Sequence, residues 1–134
     1  MPNVSLANDI ADLLAANAFG VKSGAGADMF GNNMPASPDN LIAIYESTGF
    51  EPVRTMRGIK VEVLNLQIIV RNLNTLTGQT KARAIMAFLD LFKGVINGTE
   101  YLGILARHSP FPLGADENKR ERWTCNYKVD RVYS

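Results

Sequence analysis

A long alternating segment near the C-terminus constrains the fold more than any other feature. The 15 residues from Lys119 to Tyr133 alternate between two faces without interruption. This period of two predicts a β-strand, about twice the usual length of 5 to 6 residues. One face carries Glu121, Trp123, Cys125, Tyr127, Val129, Arg131 and Tyr133. Such a strand in a short chain is expected to extend beyond its own domain, so the chain is interpreted first as an assembly subunit.

Length and charge favour one compact domain with a polarised surface. A chain of 134 residues, 46% hydrophobic, is long enough to bury a core, and a single domain spanning residues 1–134 is expected. The formal charge of +1 excludes strong global attraction to nucleic acid or to an anionic membrane. The first 50 residues hold five acidic residues and one basic residue, which leaves 13 basic and 8 acidic residues in the remainder. This asymmetry suits head-to-tail packing of identical subunits, and a solvated surface explains it equally well.

Cysteine content and the N-terminus indicate a reducing compartment. Cys125 is the only cysteine, so an internal disulfide is impossible. The N-terminal segment lacks the basic region of a secretory signal, and Asp9 and Asp12 interrupt its apolar residues. The hydrophobic stretches are too short to span a membrane, so no membrane partner is expected.

Hydrophobic periodicity predicts two helices and four strands. Helical spacing covers residues 5–18 and 77–93, and strand patterns cover residues 40–46, 59–72, 101–107 and 119–133. The order α-β-β-α-β-β predicts a two-layer α+β fold. Its mainly antiparallel four-stranded sheet would carry both helices on one face, and its hairpin arms would project beyond them. Residues 20–39 form a long irregular connection that carries Phe30 and Met34.

No pattern in the chain predicts a catalytic, cofactor or metal site. The glycine-rich segment Lys22–Asp28 lacks the order of a phosphate-binding loop. His108 is followed by Ser109 but has no carboxylate nearby in sequence, and Cys125 lies on the apolar face of its strand, as an inert buried thiol does. One histidine and one cysteine cannot build a common zinc site. Asp9 and Asp12 are interpreted as solvated helix acids. The chain is therefore predicted not to be an enzyme and to need no cofactor.

A small nucleic-acid-binding module is an alternative with less support. The basic residues of the last strand are interleaved with acidic ones, and Trp123 and Tyr127 lie mostly on the opposite face. A platform that stacks bases needs aromatic rings and positive charge on the same face.

Four segments of the chain resemble a known family. They are SPDNLIAIYESTGFEPVRTMRG, VEVLNLQIIVRN, TKARAIMAFLDLF and RERWTCNYKVDRVY, and their most recognisable parts are Pro38-Asp39 before Ile44-Tyr45-Glu46, then Ile69-Val70-Arg71 and Lys81-Ala82-Arg83. In order and pattern they resemble the small tail terminator, or tail completion, proteins of long-tailed bacteriophages, often labelled minor capsid proteins.

The resemblance implies a structural virion protein without a cofactor. It implies a ring, usually a hexamer, on the head-proximal end of the tail tube, which ends tube polymerisation and offers a surface for head attachment. The implied partners are further copies of the chain, the tail tube protein and a head completion or connector protein, and DNA only passes through the lumen. The implied location is the virion tail, with the host cytoplasm during assembly. A head completion protein on the portal side is an alternative that the sequence leaves open.

Eight residues are predicted to contact neighbouring proteins in such a ring. The hypothesis is that the acidic N-terminal half of one subunit meets the basic C-terminal half of the next. The candidates lie in the long loop, in the turn before the second strand and on the last strand: Phe30, Met34, Arg54, Met56, Arg57, Arg120, Arg122 and Arg131.

Overall fold

Two helices and seven strands make up the described part of the chain. The structure is a computed structural model that describes residues 5–54, 58 and 60–132, with only the backbone of residues 48–54. In chain order the elements are α1 (Leu6–Ala16), β1 (Met29–Gly31), β2 (Leu41–Arg54), β3 (Lys60–Asn72), α2 (Thr75–Leu89), β4 (Phe92–Ile96), β5 (Thr99–Ala106), β6 (Phe111–Ala115) and β7 (Glu121–Val132).

All seven strands belong to one mixed sheet. The hydrogen-bonded order is β1-β2-β3-β7-β5-β4, with β6 paired to β7. The β1–β2 pair is parallel, and every other pair is antiparallel. Strands β5 and β6 pair with different parts of β7, on the side that β3 leaves open. A mainly antiparallel four-stranded sheet was therefore the wrong prediction.

Three strands were missed, each for a local reason. Strand β1 has three residues, too few to show alternation, and lies inside the predicted loop. The first two residues of β4 were assigned to the end of a helix, but α2 ends at Leu89, and Leu91 takes a left-handed φ of 67°. Strand β6 contains Pro112 and Gly114, which are typical of turns.

The predicted projecting arms are also wrong. Strand β7 pairs with β3 at every position from Glu121, opposite Asn72, to Val132, opposite Val61. The extra length of the terminal strand is therefore used inside the sheet, where β7 is a central strand covered on both sides.

Both helices pack on one face of the sheet and enclose the main core. Helix α1 packs on β1 and β2, and α2 packs on β3, β5 and β7. The side chains of Ser5 and Asn74 cap the two helix N-termini by accepting backbone N–H bonds. The aromatic residues Tyr101 and Tyr127 are fully buried in this core. Within the described residues, neither helix is long and apolar enough to cross a membrane.

A second, smaller apolar cluster lies on the opposite, outer face of the sheet. Its buried members are Leu41, Ala43 and Ile69, and the partly buried side chains packed against them include Phe30 and Met34. The long loop between β1 and β2 therefore covers part of the outer face.

Candidate assembly surface

Two buried arginines hold the long loop against the outer face. Arg71 donates from Nη2 to the carbonyl oxygens of Pro35 at 2.8 Å and Pro38 at 2.6 Å, and from Nε to the carbonyl of Asp39 at 3.1 Å. Burial, and the nearby charge of Arg120, lower the pKa of Arg71. A guanidinium has several N–H donors in a fixed arrangement, which suits a row of carbonyl oxygens. Because Met34 directly precedes Pro35, the position of Met34 depends on this contact.

The second arginine links the same loop to the turn before β7. Arg120 donates to the carbonyl oxygen of Ala36, and its Nε and Nη2 atoms lie 2.8 Å and 2.7 Å from Oδ2 of Asp116. The Asp116 carboxylate also accepts the backbone N–H of Asn118 and of Arg120. These donors, first of all the Arg120 side chain, lower the pKa of Asp116 to about 2.

This ion pair predicts a pH dependence of folding stability. Because the pKa of Asp116 is lower in the folded chain, its contribution is present above the ordinary aspartate value of 3.8 and is lost as pH falls towards about 2. We expect Asp116→Asn to be less stable than the parent at pH 7. The difference should shrink between pH 4 and pH 2, measured by urea unfolding at each pH. Equal stability of the two proteins at pH 7 would contradict the role of Asp116.

A buried network of charged and polar groups connects α1 to the sheet. Asp9 is fully buried, and its carboxylate accepts from the Tyr101 hydroxyl at 2.6 Å and from Nδ2 of Asn97 at 2.9 Å. Arg131 donates from Nη1 to the Tyr101 hydroxyl at 3.0 Å and from Nε to Glu62 at 2.7 Å, and Nη1 lies 3.7 Å from Asp9. Burial and the contact with Asp9 raise the pKa of Tyr101. The interpretation of Asp9 as a solvated acid was therefore wrong.

Large apolar side chains remain exposed from β4 through β6. Leu91 and Val95 are 75% and 68% exposed. Leu105 and Phe111 pair with Lys128 and Thr124 of β7, and therefore lie on the outer sheet face. The exposed set in this region is Leu91, Val95, Leu102, Leu105, Phe111 and Leu113, called the outer apolar strip below. Several exposed large apolar side chains on neighbouring strands are typical of a protein–protein contact site.

Strand β4 forms an open edge beside this strip, and its pairing with β5 has one register shift, between Phe92 and Gly94. Asn97 and Gly98 form a two-residue turn, with φ values of 49° and 79°, between β4 and β5. The residues that flank such a turn, Ile96 and Thr99, form a hydrogen-bonded pair. Hydrogen-bonded and non-hydrogen-bonded pairs alternate along an antiparallel ladder, so the next pair, Val95 and Glu100, is not hydrogen-bonded. The backbone N–H and C=O of Val95 therefore point away from β5. Within the described chain, no strand pairs with that side of β4.

The edges at β1 and β2 are partly covered or interrupted. Beside β1, the carbonyl oxygen of Val21 accepts the N–H groups of Asp28 and Met29. On β2, the N–H of Glu46 donates to the Asn32 side chain at 3.1 Å. Beyond Glu46, the outer side of β2 has no strand partner among the described residues, although two register shifts and Pro52 interrupt it. Bulges and proline are devices that limit pairing at a sheet edge.

The eight predicted contact residues fall into three groups in the structure. Phe30 and Met34 are half-buried on the outer face, and half-buried Arg122 donates to the Gly114 carbonyl. Arg120 and Arg131 are buried in the contacts described above. For Arg54 the structure describes only the backbone, and Met56 and Arg57 lie outside the described residues.

Sequence reasoning missed both Arg71 and the β4 edge. Arg71 bonds to backbone carbonyl oxygens, which every residue has, so the sequence does not indicate these partners. The β4 edge did have a signal, because Asn97-Gly98 separates the short apolar runs of Phe92–Ile96 and Thr99–Ala106, a pattern typical of a hairpin.

The reactive residue types occupy structural positions. Cys125 is buried, its Sγ donates to the His108 carbonyl oxygen at 3.1 Å, and burial raises the pKa of the thiol. The Nε2 atom of His108 accepts the Asn126 backbone N–H at 3.3 Å. Among the residues that the structure describes, no group of three or more His, Cys, Asp and Glu side chains is placed to hold a metal ion.

Comparison with known proteins identifies the family. The sequence profile of the bacteriophage tail terminator protein family matches residues 13–133. The chain therefore belongs to this family, which confirms the resemblance seen in its sequence and gives it a structural, tail-related role. No curated protein sequence matches the chain.

A solved virion structure contains a chain with the same fold. That chain comes from the virion of a native gene transfer agent particle, with a TM-score of 0.64 over 97% of this chain and 96% of that one. The two sequences are 14% identical, so the similarity concerns the fold alone.

Proposed function

We propose that the chain forms a ring on the head-proximal end of the phage tail tube. The ring ends polymerisation of the tube protein and presents the surface to which the filled head attaches. The observation that carries this proposal is the family match, which extends from α1 to the end of β7.

The surface geometry supports a role in assembly. The outer apolar strip offers apolar area that a partner protein can bury. Each square ångström of apolar area removed from water contributes about 25 cal/mol, so a contact over several such side chains is favourable. The open edge of β4 adds backbone groups that only another extended segment can pair with regularly.

The mechanism of the proposed cap is steric. Identical subunits associate head-to-tail around a closed axis, as the hexamer that the family resemblance implies, and this arrangement leaves no free subunit surface within the ring. One ring face binds the last ring of tube protein, and the other lacks the surface that tube protein needs for further growth. The partners are thus the tube protein on one face and a head completion or connector protein on the other, in the virion tail.

The predicted contact residues have different parts in this proposal. Phe30, Met34 and Arg122 are candidates for direct contact, and the same prediction stands for Arg54, Met56 and Arg57. Arg120 and Arg131 would act through the loop and the strand end that they hold in place.

A purified system tests capping directly. When the chain is added to polymerising tube protein, we expect tube growth to stop and the mean tube length to fall with increasing amounts of the chain. Electron microscopy gives the length distribution, and light scattering gives the mass of the chain with and without tubes. Heat-unfolded chain is the control. Tubes of unchanged length at saturating amounts of folded chain would rule out capping.

A further inference from the structure

Among the described residues, the sheet has open edges on its two opposite sides, and the free side of β6 is a further edge that Pro112 and a register shift interrupt. On one side the open edge is β4, the last strand of the sheet. On the other side it is the part of β2 beyond Glu46, called distal β2, because the short strand β1 covers β2 only at residues 42–44. Both lie beside the same half of the central pair, because β5, which carries β4, pairs with residues 127–131 of β7, opposite residues 62–66 of β3. Distal β2 pairs with that part of β3 as well.

We propose that β4 of one subunit pairs with distal β2 of a neighbouring copy of this chain. The sheet then continues from subunit to subunit, and each copy uses both edges once, as a head-to-tail contact requires. This inference rests on the proposed ring and specifies the contact that builds it.

Backbone geometry favours a strand as the occupant of the β4 edge. The N–H and C=O of Val95 point outward, and β4 contains no proline. A register shift between β4 and β5 lies at Phe92–Gly94, where the extra residue belongs to β5. An unprotected edge of this kind is a template for another strand. On β2, two features limit regular pairing: the register shift that follows Thr48, and Pro52. Regular pairing is therefore possible only for a few residues near Ser47 and Thr48, and this fixes one short register.

Charge favours a copy of this chain as the owner of that strand. Strand β2 contains Glu46 and Glu51 against one basic residue, Arg54 at its end, whereas β4 contains Lys93 and no acidic residue. The Lys93 side chain is exposed on β4. Opposite charges along two paired edges favour the correct neighbour and disfavour pairing of β4 with another β4.

A pair of cysteines tests this contact on the intact ring. In the variant Ser47→Cys with Lys93→Cys, both new thiols are at exposed positions, and the native Cys125 is buried. After capping of tail tubes and mild oxidation, we expect a ladder of disulfide-linked species from dimer to full ring on a non-reducing gel. Each single variant is a matched control and should stay at least tenfold less crosslinked.

The possible outcomes separate the contact from the function. Capped tubes without a ladder would overturn the β4–β2 contact and leave the proposed cap intact. Dimers formed by Lys93→Cys alone would show β4 pairing with itself and would equally overturn it. If the parent chain does not cap tubes at all, the proposed function fails, and the contact within its ring fails with it.

Amide hydrogen exchange of the parent chain provides a test without any substitution. The outward N–H of Val95 should exchange at least tenfold more slowly on capped tubes than in the free subunit, because it gains a backbone acceptor. The Ile96 N–H, which faces β5 in both states, is the internal control. An unchanged exchange rate at Val95 would overturn the contact, whatever the cysteine variants do.

Discussion

Replacing Asp9 by alanine should lower the free energy of unfolding by about 3 kcal/mol, because it breaks a buried ionic network. The substitution removes the acceptor of the Tyr101 hydroxyl and a carboxylate beside buried Arg131. It also removes one of the two carboxylates that accept from Nδ2 of Asn97, whose bond to Asp12 at 2.8 Å remains. Glu62 remains 2.7 Å from Nε of Arg131, which keeps the expected loss at the lower end of the range for broken buried pairs.

Asp12 offers a matched control on the same helix. Its carboxylate lies 2.7 Å from Nζ of Lys22, and the two side chains are 36% and 35% exposed. The bond from Lys22 lowers the pKa of Asp12, which also accepts from Nδ2 of Asn97 at 2.8 Å. Both contacts are solvent-exposed and contribute little, so Asp12→Ala should cost less than about 1 kcal/mol. Urea unfolding followed by circular dichroism at pH 7 measures both variants. Equal losses for the two substitutions would mean that the Asp9 network does not stabilise the fold.

The network also has a consequence for assembly. It joins α1 to the ends of β5 and β7, and Arg131 lies opposite Tyr101 in the β5–β7 pair. Strand β4 is hydrogen-bonded only to β5 within the described chain, so the position of the open edge depends on these contacts. A variant weakened at Asp9 should therefore cap tubes poorly at temperatures where the parent is fully folded.

Local periodicity was sufficient to place the long elements. The alternation from Lys119 to Tyr133 predicted strand β7, and the aromatic side chains Trp123 and Tyr127 of that strand lie on its helix-facing side. Helix α1 also lies within its predicted range. In each of these elements the hydrophobic periodicity extends over more than ten residues, and tertiary contacts rarely override a pattern of that length.

Short strands could not be predicted because their stability comes from distant partners. Strand β1 exists through pairing with β2, and β6 through pairing with β7, even though β6 contains Pro112. The end of α2 depends on Leu91, which takes a positive φ that leucine rarely adopts. For these segments, tertiary contacts outweigh local propensity.

The burial of charged side chains could not be predicted from the sequence either. Arg131 contacts the carboxylates of Asp9 and Glu62, which lie far away in the sequence, and Arg120 bonds to the carbonyl of Ala36. The alternation shows on which face an arginine lies but not whether that face is closed by another part of the chain. The loop that closes the outer face at Arg120 was assigned no fixed position.

Loss of the chain should have the largest effect on the virus. If the chain caps the tail tube, particles produced without it have no stop for tube polymerisation, and tubes should grow to several times the normal length. Supply of the chain from a plasmid should restore normal length, and supply of Lys93→Pro, which disrupts the β4 edge, should restore it at least tenfold less well.

The length of tails in a lysate of such a knockout tests the central claim most directly. Negative-stain electron microscopy gives the distribution of tube lengths beside the state of the heads. The account predicts over-long tubes without attached heads. Tails of normal length beside empty or leaking heads would contradict it and would place the chain on the head side of the junction.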